Sequence, residues 1–118
     1  MKPYEFEQLV CDHYRQKGYR VQTTSASNDY GIDVFAEKKG EKIAVQVKMY
    51  GGSTRKVNRQ TMMELYGAAA YFDCTKAVLA TDGEVLTDAK EVAHKLGIDI
   101  LFIQPDRKIS MPSASSAE

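Results

Sequence analysis

The chain has 118 residues, 43% of them apolar and 27% charged, which suits one globular domain with a real core. Lys plus Arg and Asp plus Glu number 16 each, so overall charge names no partner and a nucleic-acid surface would have to be local. No apolar stretch approaches the roughly 18 residues of a membrane span, and Met1-Lys2-Pro3-Tyr4-Glu5 lacks the apolar run of a secretory signal, so a cytoplasmic protein is expected.

In chain order, Phe6, Leu9, Val10 and Tyr14 share one face of a predicted helix over 3–17. Pro3 suits its first turn and Gly18 the position past its end. Residues 19–24 alternate as a strand, 25–30 form a polar loop, and 32–38 read as a second strand. Lys39-Gly40-Glu41 is a tight turn into a third strand over 42–48. Gly51 to Arg59 reads as a loop made mobile by its glycines.

A second helix spans about 58–72, with Met62, Leu65, Ala69 and Phe72 inward and a small face at Gly67-Ala68-Ala69-Ala70. A strand follows at 76–81. Thr87 is the expected N-cap of a third helix, with Ala89, Val92, Ala93 and Leu96 inward and Gly97 ending it. Residues 98–103 make the last expected strand. The domain is expected to close at 104, with 105–118 a disordered tail. The order is αβββαβαβ: an α/β fold with a mixed central sheet flanked by helices. Cys11 and Cys74 share no metal-ligand spacing with His13 or His94, so they read as free thiols and the histidines as helix-surface residues. The tyrosines and the Met62-Met63 pair read as core or rim rather than as a stacking platform.

The second and third strands constrain each other. Ile32, Val34 and Ala36 form one aliphatic row, and Ile43, Val45 and Val47 form another. Directly paired residues of an antiparallel hairpin point the same way. Burying both rows together therefore puts Asp33 on the same face as Gln46 and Lys48. A two-residue turn at Lys39-Gly40 pairs 33 with 46, whereas one at Gly40-Glu41 pairs 33 with 48. Either gathers a carboxylate, an amide and an ammonium. A hard cation such as Mg²⁺ takes oxygen ligands of this kind, here Asp33 and the Gln46 carbonyl, with Glu7 from the first helix as a further carboxylate. Lys48 can hold or deprotonate an attacking water and offset transition-state charge. On spacing alone, such a cluster is more often a solvated sheet face.

The segments Phe6-Glu7-Gln8-Leu9-Val10, Gly18-Tyr19-Arg20-Val21, Asp29-Tyr30-Gly31-Ile32-Asp33-Val34 and Ala44-Val45-Gln46-Val47-Lys48 follow in that order. Lys56-Val57-Asn58-Arg59, Glu64-Leu65-Tyr66-Gly67-Ala68, Thr81, Ala89-Lys90-Glu91-Val92-Ala93 and Leu96-Gly97-Ile98 extend the series. Over about 4–103 the chain resembles the catalytic domain of Mrr-type restriction endonucleases, in the PD-(D/E)XK nuclease superfamily. The resemblance implies a restriction-endonuclease-like core and Mg²⁺-dependent hydrolysis of DNA, with Mn²⁺ able to substitute. It carries the metal-binding acid onto Asp33, a Q-x-K variant onto Gln46 and Lys48, and the helix-one acid onto Glu7. Where the family most often reads Asp-Gly-Gly-Ile-Asp, Tyr30 replaces the first glycine. Asp29 is open between loop capping and a catalytic role.

Lys48, Arg55, Lys56 and Arg59 come with no acid between them, so Arg55, Lys56 and Arg59 are candidate phosphate contacts, joined by Gln60. A solvated loop explains them too. No recognition domain fits in this length. A fragment, a partner domain or subunit, and a homodimer reading DNA shape stay open, and cutting two strands points to two sites. A Holliday junction resolvase-like nuclease, an RNA substrate and a non-catalytic DNA-binding module are the alternatives.

Overall fold

The computed structural model describes residues 1–24, 30–104 and 109–110, the last two by their backbone alone. Helix α1 (Pro3–Gln16) starts with Pro3 in its first turn, and the Glu5 carboxylate accepts from the Lys2 backbone N–H at 2.9 Å. At its far end Gly18 takes φ +91°, and the Tyr19 N–H closes onto the Tyr14 carbonyl at 3.0 Å. Strand β1 (Arg20–Thr23) leads to β2 (Val34–Lys38), then β3 (Glu41–Lys48). The turn between β2 and β3 is the Lys39-Gly40 alternative, because Lys38 pairs with Glu41. Both turn residues have positive φ, +39° and +80°, as a two-residue hairpin of right-handed strands requires.

Helix α2 (Arg59–Tyr71) is capped by Asn58, whose side chain accepts from the Thr61 N–H at 3.0 Å. Strand β4 (Lys76–Thr81), helix α3 (Thr87–Leu96) and strand β5 (Asp99–Ile103) follow. Thr87 is not the N-cap it was expected to be. Leu86 is the boundary residue and offers no side-chain cap. Val57 and Val85 form a parallel bridge, and the Leu86 N–H bonds the Val57 carbonyl, so the extended segment ends at Leu86 and the helix begins one residue earlier than expected. Gly97 ends α3 in the left-handed region, as expected.

One mixed sheet runs in the order β1-β2-β3-β4-β5-β6. The β1/β2, β2/β3 and β5/β6 pairs are antiparallel, and β3/β4 and β4/β5 are parallel, joined by helical crossovers. The sixth strand, Ile109–Ser110, falls in the stretch assigned to the tail. Two residues pairing along the edge of β5 carry no periodicity that a sequence pattern could reveal.

The helices bury opposite faces of the sheet. Phe6, Val10, Cys11 and Tyr14 of α1 pack on Val34, Ala36, Ile43, Val45, Val78, Ala80 and Leu101. Met62, Leu65, Ala68, Ala69, Ala89 and Ala93 of α2 and α3 pack on Ala44 and Leu79. Each fully buried large side chain contributes about 1.5–3 kcal/mol. Ile32 departs from the expected row: it lies in the α2/α3 layer, not beside Val34. The strand starts at Val34, and Gly31 at φ +87° turns the chain before it. Of the two cysteines Cys11 is buried and Cys74 half-buried, and both are free. Among the described residues no helix is long and apolar enough to cross a membrane.

Candidate active site

Asp33 sits where β2 is about to begin. Its N–H bonds the Val45 carbonyl at 2.8 Å, and its carboxylate Oδ2 accepts from the Val47 N–H at 2.7 Å. A side chain thus completes the β3 hydrogen bonding that the β2 backbone would have supplied one residue earlier. The carboxylate therefore lies against the β3 backbone rather than standing on a strand face as the alternation implied. Burial raises the Asp33 pKa, opposed by the Val47 N–H and the nearby Lys48 charge.

Gln46 is the next component. The β2/β3 ladder ends where Val34 pairs with Val45, so Gln46 is the next residue of β3, beside Val47, whose N–H holds the Asp33 carboxylate. The Gln46 side chain is 7% exposed, and its Oε1 is buried with no hydrogen-bond partner among the described residues. The amide nitrogen lies against Gly31, 2.9 Å from where a Cβ would stand, so a side chain at 31 would displace the amide. Buried acceptors are nearly always paired. A buried oxygen without a partner among the described residues, on the residue before the one that holds the Asp33 carboxylate, is a candidate cation ligand.

Lys48, half-buried, ends β3. It acts on Asp33 through space, since the two form no contact ion pair among the described residues. Its Nζ lies 5.9 Å from the Tyr50 ring centre, and the Arg55 guanidinium is 4.5 Å from the same ring. Glu7 approaches from α1; burial, then the Asp33 charge, raises its pKa. The four residues Glu7, Asp33, Gln46 and Lys48 thus come together from α1, the entry to β2, and β3. Among the described residues no three His, Cys, Asp or Glu side chains cluster as a metal site. Two carboxylates and an amide oxygen remain as the side-chain donors, a set that fits a hard divalent cation completed by water and substrate oxygens.

Thr81 has no role of its own in the sequence reading. It pairs with Lys48 across the parallel β3/β4 ladder and is fully buried. Its hydroxyl donates to the Lys48 carbonyl at 2.7 Å and accepts from the Gly83 N–H at 3.0 Å. Next to it, the Asp82 carboxylate accepts from the Gly51 N–H at 2.7 Å. A Cβ at Gly51 would stand 2.5 Å from Asp82 Oδ2, and one at Gly83 would stand 2.8 Å from Tyr50 Cβ. Gly51 therefore serves close packing of two loops, not the mobility expected of it. Thr81→Val keeps the shape and removes the clamp. It is expected to cost about 1–2 kcal/mol in urea unfolding, with Thr81→Ser retaining most of that stability.

The remaining candidates are spread out. Lys56 pairs with Glu84 at 3.0 Å and Arg59 with Asp88 at 3.1 Å, so acids from distant segments partly neutralise the basic run. Gln60 donates to Glu64 at 3.0 Å along the exposed side of α2. Arg55, over Tyr50, carries no ion pair among the described residues. Asp29 lies outside the described residues. His94 is exposed as expected, whereas His13 is half-buried, its ring edge-on to Tyr14 at 4.9 Å.

A family model described as restriction endonuclease, Mrr_cat, matches residues 1–108. An uncharacterised protein, y4cE, of Sinorhizobium fredii (strain NBRC 101917 / NGR234) is 34% identical over 98 residues, covering 74% of this chain. The chain spans only 25% of that relative. The restriction endonuclease MspJI, solved in complex with a 27-mer oligonucleotide, superposes with a TM-score of 0.56 at 14% identity, over 82% of this chain and 24% of that one. Hjc of Archaeoglobus fulgidus, a Holliday junction resolvase, gives 0.52 at 16% identity, over 86% of this chain and 70% of that one. At such identities the two structures speak for the fold alone, and that fold is restriction-endonuclease-like.

Proposed function

This chain belongs to the restriction endonuclease family Mrr_cat, and from that premise we propose that it is a divalent-cation-dependent endonuclease hydrolysing DNA phosphodiester bonds. The observation that carries the reading is the Gln46 Oε1, buried and without a partner among the described residues, on the residue before Val47, whose N–H holds the Asp33 carboxylate. Leaving it so costs the fold about 1–3 kcal/mol, a cost with a purpose if the oxygen is a ligand. Asp33, Gln46 and Glu7 would hold Mg²⁺, or Mn²⁺ in its place. Such a cation, when bound, stabilises charge building on the phosphoryl oxygens. Lys48 holds the attacking water by hydrogen bonding and sets a positive charge toward the same oxygens. Asp33 has a second duty, fixing the β3 backbone at Val47 so that Gln46 and Lys48 keep their relative positions.

Arg55 is the available cation for a neighbouring phosphate, and its place over Tyr50 holds it near Lys48. Lys56, Arg59 and Gln60 can join only by leaving their acidic partners. Exchanging an exposed ion pair for a phosphate costs little. Sequence specificity is assigned to a further domain or partner subunit, and paired-strand cutting to a homodimer. The setting is cytoplasmic.

The test is supercoiled plasmid incubated with Mg²⁺, Mn²⁺, Ca²⁺ or EDTA, beside methylated duplex, four-way junction and RNA. Nicked or linear DNA is expected with Mg²⁺ or Mn²⁺ and none with EDTA. Lys48→Ala is expected to slow cutting about 10²–10³-fold, comparable to losing one preorganised donor at a developing charge. Cutting that persists undiminished in EDTA, or an unaffected Lys48→Ala, would refute the reading.

A further inference from the structure

Three residues before Asp33, the chain does something costly. Tyr30 takes φ +53°, a left-handed conformation disfavoured for a bulky side chain, and the residue is 67% exposed. Its ring meets Tyr71 edge-on at 5.1 Å, with Phe72 behind it at 6.0 Å. Tyr71 is itself 66% exposed. The two tyrosines, with Glu64, Gly67 and Ala68 of α2, line a pocket of about 440 Å³. Gly67 leaves it open, since a Cβ there would meet nothing within 4 Å. Of the core and the rim expected for the tyrosines, these two take the rim.

We propose that this pocket receives an unstacked DNA base from the strand being cut, one nucleotide or so from the scissile phosphate. The inference rests on the nuclease reading for its strand. Its argument is separate. The pocket is tied to the candidate active site through the chain: Tyr30 precedes Gly31, against which the Gln46 amide packs. Three residues of chain keep the Tyr30 backbone within about 11 Å of Asp33. The charge selects a base rather than a backbone phosphate. Among the described residues Glu64 is the only charged one lining the pocket, and a carboxylate there repels phosphate. It can accept from an exocyclic amino group, as acids do from cytosine or adenine. Gln60 steadies one of its oxygens at 3.0 Å, leaving the other for the base. Aromatic faces accept any base, so the pocket recognises the unpaired state rather than a sequence. The substrate class that follows is DNA with unpaired or easily unpaired bases beside the cut.

The experiment uses a single-stranded oligodeoxynucleotide carrying 5-iododeoxycytidine, whose exocyclic amino group Glu64 can meet, the same strand fully paired, and the same strand with that base bulged. Photo-cross-linking with mass spectrometry is expected to label Tyr30 or Tyr71 with the single strand and the bulge, and much less with the perfect duplex. Tyr71→Leu and Gly67→Leu are each expected to weaken single-strand binding about tenfold by anisotropy. Gly67→Leu fills the pocket while improving helix propensity, so its thermal melt is expected not to fall. Tyr30→Gly, easy at this φ, provides the second ring deletion. Asp33→Asn is expected to keep the cross-link. Unchanged binding in both leucine variants, or cross-links confined to other residues, would overturn the proposal. So would a dimer that Tyr71→Leu splits without affecting DNA, which would give this face to a second copy. Wild-type protein that cross-links through the tyrosines but never cuts would sink the nuclease reading alone.

Discussion

Asp33→Asn is expected to fold, to melt no lower than the wild type, and to cut plasmid about 10³-fold more slowly, several kcal/mol of lost charge stabilisation. The two halves of that result come from one environment. Burial raises the Asp33 pKa, and Lys48 and the Val47 N–H only partly oppose it. For an acid whose folded pKa lies above its unfolded one, stability is fully present below the unfolded value. It is lost as pH rises through the folded value. At neutral pH the wild type has given up that stability to keep a negative charge, and asparagine has no charge to keep. Its amide oxygen can still accept from Val47, so the hairpin stays pinned. Activity runs the other way: wild-type cutting should rise with pH as Asp33 and Glu7 ionise, each with its pKa raised from the ordinary value by burial. Thermal melts beside single-turnover nicking from pH 4 to 8 (roughly the span over which carboxylates with raised pKa ionise) check both. A variant that cuts normally, or whose cutting is lost only because it unfolds, contradicts the assignment.

Gln46→Met should separate function from stability in the same direction. Methionine has similar length and no hydrogen-bonding N or O atom, so it removes an acceptor that is buried without a partner among the described residues. Urea unfolding is expected to show a gain of about 1 kcal/mol, the relief of an unsatisfied polar group. Nicking in Mg²⁺ is expected to fall about 10²-fold, the scale on which disturbing a metal site acts. Gly31 leaves room for the end of an unbranched side chain but not for a further substituent of its own. A destabilised Gln46→Met would mean that the amide oxygen is structural.

Much of this site was legible because a hairpin is a local object. The aliphatic rows of 32–38 and 43–47, with a glycine at the turn, left two registers, and both brought Asp33 to Gln46 or Lys48. The structure chose the first. What stayed hidden depends on distant partners. Asp33 meets the β3 backbone because β2 starts two residues later than expected, and no pattern of alternation encodes a late start. Thr81 gains its meaning only from a parallel neighbour 33 residues away in sequence. Lys56 and Arg59 looked free because Glu84 and Asp88 come from other segments. Gly51 has the composition of flexibility and the surroundings of a tight joint. Tyr30 looked like a departure from a family pattern. Its exposure and strained backbone give it a use.

The most direct measurement is a double-mutant cycle on single-turnover nicking of supercoiled plasmid in Mg²⁺, with wild type, Asp33→Asn, Gln46→Met and the double variant. Side chains that grip one ion act as a unit, so the double variant should be no slower than Asp33→Asn alone. Losses that multiply, or a wild type that leaves the plasmid intact, would show that these two residues do not share the work of cutting.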